Sequence, residues 1–275
     1  MADDPVESQY TRQDLGGIIL AALKRAGKDI DHLTPDDLAP VDEFHGGQRQ
    51  ATIRLADLAG LRGGERVPDI GSGIGGPSRF LASRYGCQVE GIDLTAEFCR
   101  VAEMLTQRTG LTRNVGYRQG NALDLPFEEM TFDVVWSQNA SMNIADRDRL
   151  YAEMHRVLKP GGRLALQEVV AGPGGEPHYP APWARAASIS FLLTAEATAP
   201  RSKPPGFASS PGRTPRVHPP DRGPKRSRAR RHRSGSICWS DPIGRQSRAT
   251  RRGITRRTGS GCSTRCSNEQ ADLRL

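Results

Sequence analysis

The densest chemistry in this 275-residue sequence is the run Asp69-Ile70-Gly71-Ser72-Gly73-Ile74-Gly75-Gly76. Glycines at alternate positions permit a tight turn and let a ligand approach the backbone. A helix opening just after the turn would present unpaired N–H groups. Gly71, Gly73 and Gly76 alone satisfy the dinucleotide pattern G-x-G-x-x-G, a weak signal by itself. Asp93 lies 22 residues beyond Gly71, where a carboxylate can accept from both hydroxyls of a ribose. Its competing reading is a helix-capping acid, a role that Thr95 is expected to fill. An adenosine-bearing ligand follows, and both NAD and S-adenosylmethionine (SAM) carry one. Asp69, two residues before the first glycine, favours the cationic aminoacyl ligand over a pyrophosphate.

Elements of alternating type must hold these residues. Leu15, Ile18, Ile19, Ala22 and Leu23 recur at helical spacing within 12–26. Thr34-Pro35-Asp36-Asp37 reads as a capped helix start. A helix is expected over 48–58, with Ile53, Leu55 and Leu58 on one face. Strands are expected at 66–70, 88–92, 115–119, 132–136 and 163–170, and helices at 78–85, 96–107 and 146–158. Lys159-Pro160-Gly161-Gly162 stops the last of these. This alternation implies βαβ units and a parallel sheet with right-handed crossovers.

Val67–Pro77, Gly91-Ile-Asp-Leu-Thr95, Gly120–Phe127, Phe132–Gln138 and Leu158–Leu164 together resemble the ordered motifs of class I SAM-dependent methyltransferases. The nearest likeness is to small-molecule enzymes of the sarcosine/dimethylglycine and quinone-biosynthesis kinds, over residues 10–198. The resemblance implies an α/β, Rossmann-like, doubly wound and mainly parallel sheet with N-terminal helices. It implies a helical lid over 1–60 and a SAM-binding core over 61–198. Asp69, Gly71, Ser72, Gly73 and Gly75 would line the methionine end of SAM. Asp93 would hold the ribose, with Leu94, Asn121 and Ala122 at the adenine. Gln138 would face the methyl group or the acceptor. Phe44, His178, Tyr179 and Trp183 are candidates for the acceptor pocket.

Methyl transfer from a sulfonium needs chiefly in-line positioning. A base is required only where the acceptor must lose a proton, and His45 and Gln138 are the catalytic candidates. For His45 and His178 a packing or surface histidine is the plainer reading, and for Tyr179 and Trp183 a Pro-rich loop with aromatic anchors. Cys262-x-x-x-Cys266 with a distant Cys238 is a poor zinc set, so no metal is expected. The expected reaction is methyl transfer to a small amine or quinol-like acceptor.

Two departures stand out. Pro68 occupies a strand that should be central, where it removes a ladder donor. The family pattern also stops near residue 198, inside an expected helix over 189–198, so the sheet is expected to lack its last two strands. The charge divides at the same place. Residues 1–199 carry 20 basic and 27 acidic residues, whereas 200–275 carry 19 and 4. Of the latter 76 residues only 7 are Leu, Ile, Val or Phe, a composition expected to be disordered. Three readings of that tail compete: a nucleic-acid arm around Lys225–Arg233, a solvated tail, or out-of-frame translation of GC-rich coding sequence. The last is favoured, and with it impaired activity. The alternative function is a nucleic-acid-associated methyltransferase or binding protein; a weaker one is an NAD-dependent oxidoreductase. No run of about 18 apolar residues exists to span a membrane. Met1-Ala-Asp-Asp-Pro5 lacks a secretion signal, and a cytoplasmic location is expected.

Overall fold

The structure, a computed structural model, describes residues 5–198, 208–209 and 234–240. Four helices come first: α1 (Pro5–Tyr10), α2 (Leu15–Arg25), α3 (Pro35–Asp42) and α4 (Gln48–Ala59). Then β1 (Arg66–Ile70), α5 (Gly76–Tyr85), β2 (Gln88–Asp93), α6 (Ala96–Arg108), β3 (Val115–Gln119), β4 (Phe132–Gln138), α7 (Arg147–Arg156) and β5 (Leu158–Val169) alternate. β6 (Ala208–Ser209) and β7 (Ser234–Ser240) follow. The sheet order is β3-β2-β1-β4-β5-β7-β6. The first five strands are parallel, and the order reverses at β1/β4. Such a switch point opens a crevice at the strands' C-terminal ends.

Both faces of the sheet are covered, which is why its strands read as nearly continuous apolar runs. On one face Leu55, Ala56 and Ala59 of α4 and Leu81 of α5 pack over Val67, Val89, Val134 and Trp136. On the other, Leu150 and Met154 of α7 pack over Ile70, Ile92, Val135 and Leu166. A third cluster joins Leu15, Ile19 and Leu23 of α2 and Leu38 of α3 to Val101 and Leu105 of α6. Ile74 of the glycine loop belongs to that cluster.

α3 starts as its sequence predicts. Thr34 and Asp37 form a reciprocal capping box, with Pro35 in the first turn. Other expectations need correction. α4 buries Ala51, Thr52, Leu55, Ala56 and Ala59, while Leu58 is exposed; small residues let it lie close on the sheet. Ile18 is likewise exposed. α5 begins at Gly76, since Pro77 fits a first turn where no N–H is needed. Lys159–Gly162 does not precede β5 but is absorbed into it. Phe132 pairs with Leu158 and Val134 with Arg163, so the extra residues loop out as an irregularity that uses Gly161 at φ +78°. Of the helix expected over 189–198, Ile189 ends a short 3-10 turn, 190–193 are irregular, Thr194 bridges Ala171, and 195–198 form one helical turn.

Pro68 is accommodated by strand parity. The Gln88 N–H donates to Glu65 O, and the Gly71 N–H to Ile92 O, so odd positions of the β1 segment serve β2. Even positions therefore face β4. The Arg66 N–H accordingly bonds the Asp133 carboxylate at 2.9 Å, and Ile70 O accepts from Ser137 Oγ at 2.8 Å. The missing Pro68 donor falls on the β4 side alone. There β1 pairs through the single register position Asp69↔Trp136, against five positions toward β2.

The outer side of β5 was expected to be an open edge without further strands. β7 runs antiparallel along it, from Arg163↔Ser240 to Val169↔Ser234, and β6 pairs beyond. An unpaired row of backbone groups recruits any compatible extended segment. The basic run 225–233 and the side chains of Cys238, Cys262 and Cys266 lie outside the described residues. Among the described residues no helix is long and apolar enough to cross a membrane.

Candidate active site

The glycine loop leaves the end of β1 and enters α5. Gly71, Gly73 and Gly75 all have positive φ, at 76°, 55° and 83°. Two of them are also needed for close packing. A side chain at Gly71 would collide with Ala140 Cβ, and one at Gly75 with the Tyr117 hydroxyl. At Gly73 nothing lies within 4 Å of where a Cβ would stand. The middle glycine therefore opens on space that a ligand can occupy.

Buried polar contacts fix this loop from outside. Arg79 of α5 is wholly buried. Its Nη2 donates to Ile74 O at 2.7 Å and to Asp42 Oδ2 at 2.8 Å; its Nη1 donates to Ala102 O and Thr106 Oγ1. Three helices are thereby tied to the loop backbone. Nothing local in the sequence announces this, because Asp42 and Arg79 are 37 residues apart.

Asp93 sits at the end of β2. Its Oδ2 accepts from the Gly73 N–H at 2.8 Å, and its Oδ1 accepts from the Thr95 N–H at 2.9 Å. Thr95, expected to cap α6, makes no side-chain cap bond. The carboxylate bonding two residues ahead performs that task. Burial raises the Asp93 pKa against these two hydrogen bonds. Asp69 is more deeply enclosed: burial pushes its carboxyl up to about 7, although Ser78 Oγ donates to Oδ2 at 2.6 Å. The charges of Asp93 and Glu43 raise Asp69 further, and that of Glu7 raises Asp93. The nearby cations Arg49 and Arg79 are already paired, with Glu43 and Asp42.

The remaining candidates separate. Leu94 is half-buried, and its carbonyl accepts from Gln119 Nε2 at 3.0 Å. Asn121 is exposed, its Oδ1 accepting from the Leu123 N–H, and Ala122 packs on the core beneath. Gln138 is buried with both amide atoms committed. Nε2 donates to Gln167, and Oε1 accepts from Trp136 Nε1 at 3.0 Å, with Thr52 Oγ1 3.3 Å away. Ser72 Oγ is enclosed without a partner. Phe44 is 61% exposed. His178 is exposed on the loop after β5, and Tyr179 packs partly against Met142, Trp183 and Ile189. Trp183 is buried, and its carbonyl accepts from Gln9 and Asn143, with Tyr10 Oη 3.1 Å away.

His45 stands apart from the other histidines. It is buried, with Nε2 2.8 Å from Glu43 Oε2 and 3.1 Å from Thr52 Oγ1. Residues that sequence reasoning missed lie on α1. Tyr10 Oη donates to Asn143 Oδ1 at 3.0 Å, its ring meets Phe98 at 5.9 Å, and Glu7 approaches Gln119 at 3.4 Å. α1 thus touches both the Asp93 side and the Trp183 side of the crevice. Contacts across more than 100 residues leave no periodic signal.

The fold is a Rossmann-like α/β domain with its crevice at the β1/β4 switch point. Residues 68–166 match a family model described as a methyltransferase domain. Methyltransferase GfsG of Streptomyces halstedii is 33% identical over 136 residues, covering 50% of this chain and 48% of that protein. The glycine/sarcosine/dimethylglycine N-methyltransferase of Actinopolyspora halophila is 32% identical, covering 48% and 23%. Phosphoethanolamine N-methyltransferase 2 of Haemonchus contortus, solved with S-adenosyl-L-methionine, shares the fold. Its TM-score is 0.52 at 24% identity, over 71% of this chain and 43% of that one. The chain spans less than half the length of the curated relatives it matches.

Proposed function

We propose that this chain is a SAM-dependent methyltransferase acting on a small-molecule acceptor, an amine or a quinol-like hydroxyl. One observation carries the reading. Gly73 opens on empty space while its amide is held by Asp93, and the surrounding unpaired charge is acidic. A sulfonium with an ammonium group suits that field, whereas the pyrophosphate of NAD would meet carboxylates and no unpaired arginine. The enclosed, unpartnered Ser72 Oγ and His45 Nδ1 also fit a ligand with a polar end.

When bound, SAM supplies an activated methyl group. Asp69, Gly71, Ser72, Gly73 and Gly75 line its aminoacyl and sulfonium end. Asp93 keeps a second lone pair on each oxygen and accepts from the ribose hydroxyls. Leu94, Asn121 and Ala122 border the adenine. The N-terminal helices form the lid: α1 spans from Gln119 to Trp183 and Arg185 and excludes water. Phe44 and Tyr179 line the acceptor side. The glycine/sarcosine/dimethylglycine relative supports an amine, and the matched tocopherol O-methyltransferase of Arabidopsis thaliana an aromatic hydroxyl.

Calorimetry on the full chain tests this. S-adenosylhomocysteine (SAH) and SAM should bind, NAD should not compete, and Asp93→Asn should weaken both by tenfold or more. Saturable NAD binding with no response to SAH overturns the reading.

A further inference from the structure

Among the enclosed polar atoms behind the glycine loop that lack a hydrogen-bond partner is a ring nitrogen, His45 Nδ1. Glu43, itself buried, has its Oε2 2.8 Å from His45 Nε2 and accepts there from Thr52 Oγ1 at 2.7 Å; its Oε1 lies 2.6 Å from Arg49 Nε. A carboxylate at Nε2 places the imidazole proton on that nitrogen and leaves a lone pair on Nδ1. The His45 side chain is 6% exposed, yet Nδ1 is enclosed without any partner. A buried acceptor left without a donor is destabilising, which calls for a ligand group or a water.

The ring's position says which group. Gln167 Nε2 donates to Gly46 O at 2.8 Å, and Thr52 links His45 to Gln138, so the ring lies across the C-terminal ends of β4 and β5. The ring also lies within electrostatic reach of the Asp69 carboxyl at the end of β1. That is the end of the crevice assigned above to the aminoacyl portion of the cofactor. An acceptor nitrogen among carboxylates whose arginines are already paired suits a cationic N–H donor, not an anion.

We propose that His45, oriented by Glu43, accepts a hydrogen bond at Nδ1 from the ammonium group of the cofactor's aminoacyl end. His45 is then a cofactor-binding residue and not the base for the acceptor, and Glu43 is a positioning residue that fixes its tautomer. The inference rests on the S-adenosyl reading of the crevice.

Three probes separate the possibilities by calorimetry on the full chain. They are SAH, its decarboxylated analogue with a 3-aminopropylthio chain, and methylthioadenosine, which lacks the aminoacyl chain. His45→Phe should weaken the first two by tenfold or more and methylthioadenosine by less than twofold. Glu43→Gln should give the same pattern at smaller size. In the wild-type chain labelled with 15N-histidine, the His45 Nδ1 resonance should move on adding SAH and stay put with methylthioadenosine. That measurement decides the matter even if a variant fails to fold. Equal losses for all three probes, a loss for SAH alone, or an unmoved Nδ1 resonance overturns the proposal. If the wild-type chain binds none of the three, the cofactor reading itself falls.

Discussion

Asp69 shows how a functional residue works against the fold that holds it. Burial raises its carboxyl to about 7, so between the ordinary carboxylate value and 7 the folded state holds a proton that the unfolded chain has lost. Stability therefore falls as pH rises through that window. Asp69→Asn should raise the melting temperature at pH 8 relative to wild type and weaken SAM binding by tenfold or more. For wild type, SAM should tighten between pH 6 and 8 more than SAH does, because only SAM brings the sulfonium. The glycines separate in the same way. Gly73→Ala places a methyl in open space and costs only the left-handed backbone, about 1–2 kcal/mol. It should block SAH with a small fall in melting temperature. Gly75→Ala adds a collision with Tyr117 and should lose stability first. The turn and Asp93 were legible in sequence because neighbouring residues set their geometry. His45 was legible as a candidate but its surroundings were not, since Glu43, Thr52 and Gln138 converge on it from separate elements.

At the scale of elements, Arg79 of α5 anchors the glycine-loop wall. Arg79→Leu strands Asp42, buried and already raised in pKa by its enclosure. Breaking one side of such a pair costs about 3–5 kcal/mol, measurable by urea unfolding. α1 behaves differently, for it has no buried residue and holds its place by hydrogen bonds and the partly buried contacts of Val6 and Tyr10. Removing residues 1–11 should shift the melting temperature little yet weaken SAH several-fold. Strand positions were readable from apolar runs and Gly/Pro boundaries. The buried face of α4 was not, because Ala56 and Ala59 face the sheet while Leu58 turns outward; burial there follows closeness of approach and not side-chain size. The same limit hid Lys159–Gly162, whose Pro and glycines read as a stop signal yet lie inside β5.

For the whole molecule, the acidic body and the basic remainder make separable predictions. The crevice is built by β1, β2 and the loops after β4, while β7 lies on the far side of β5. Truncation after residue 199 should leave SAH affinity within threefold but bare the β5 edge, giving concentration-dependent association by sedimentation. Loss of a salt-dependent nucleic-acid affinity on the same truncation would instead favour the tail as an RNA or DNA arm. Pro68 has a further effect on how the molecule breathes. The sheet carries long backbone ladders from β3 to β1 and from β4 to β5, whereas the seam between β1 and β4 has one backbone register position, flanked by the side-chain bonds of Asp133 and Ser137. Amide protons flanking that seam should exchange with deuterium ahead of those elsewhere in the sheet, and Pro68→Leu should slow them. Because Asp69 and Trp136 occupy that position, a ligand straddling them would fasten two half-sheets that the backbone leaves loosely joined.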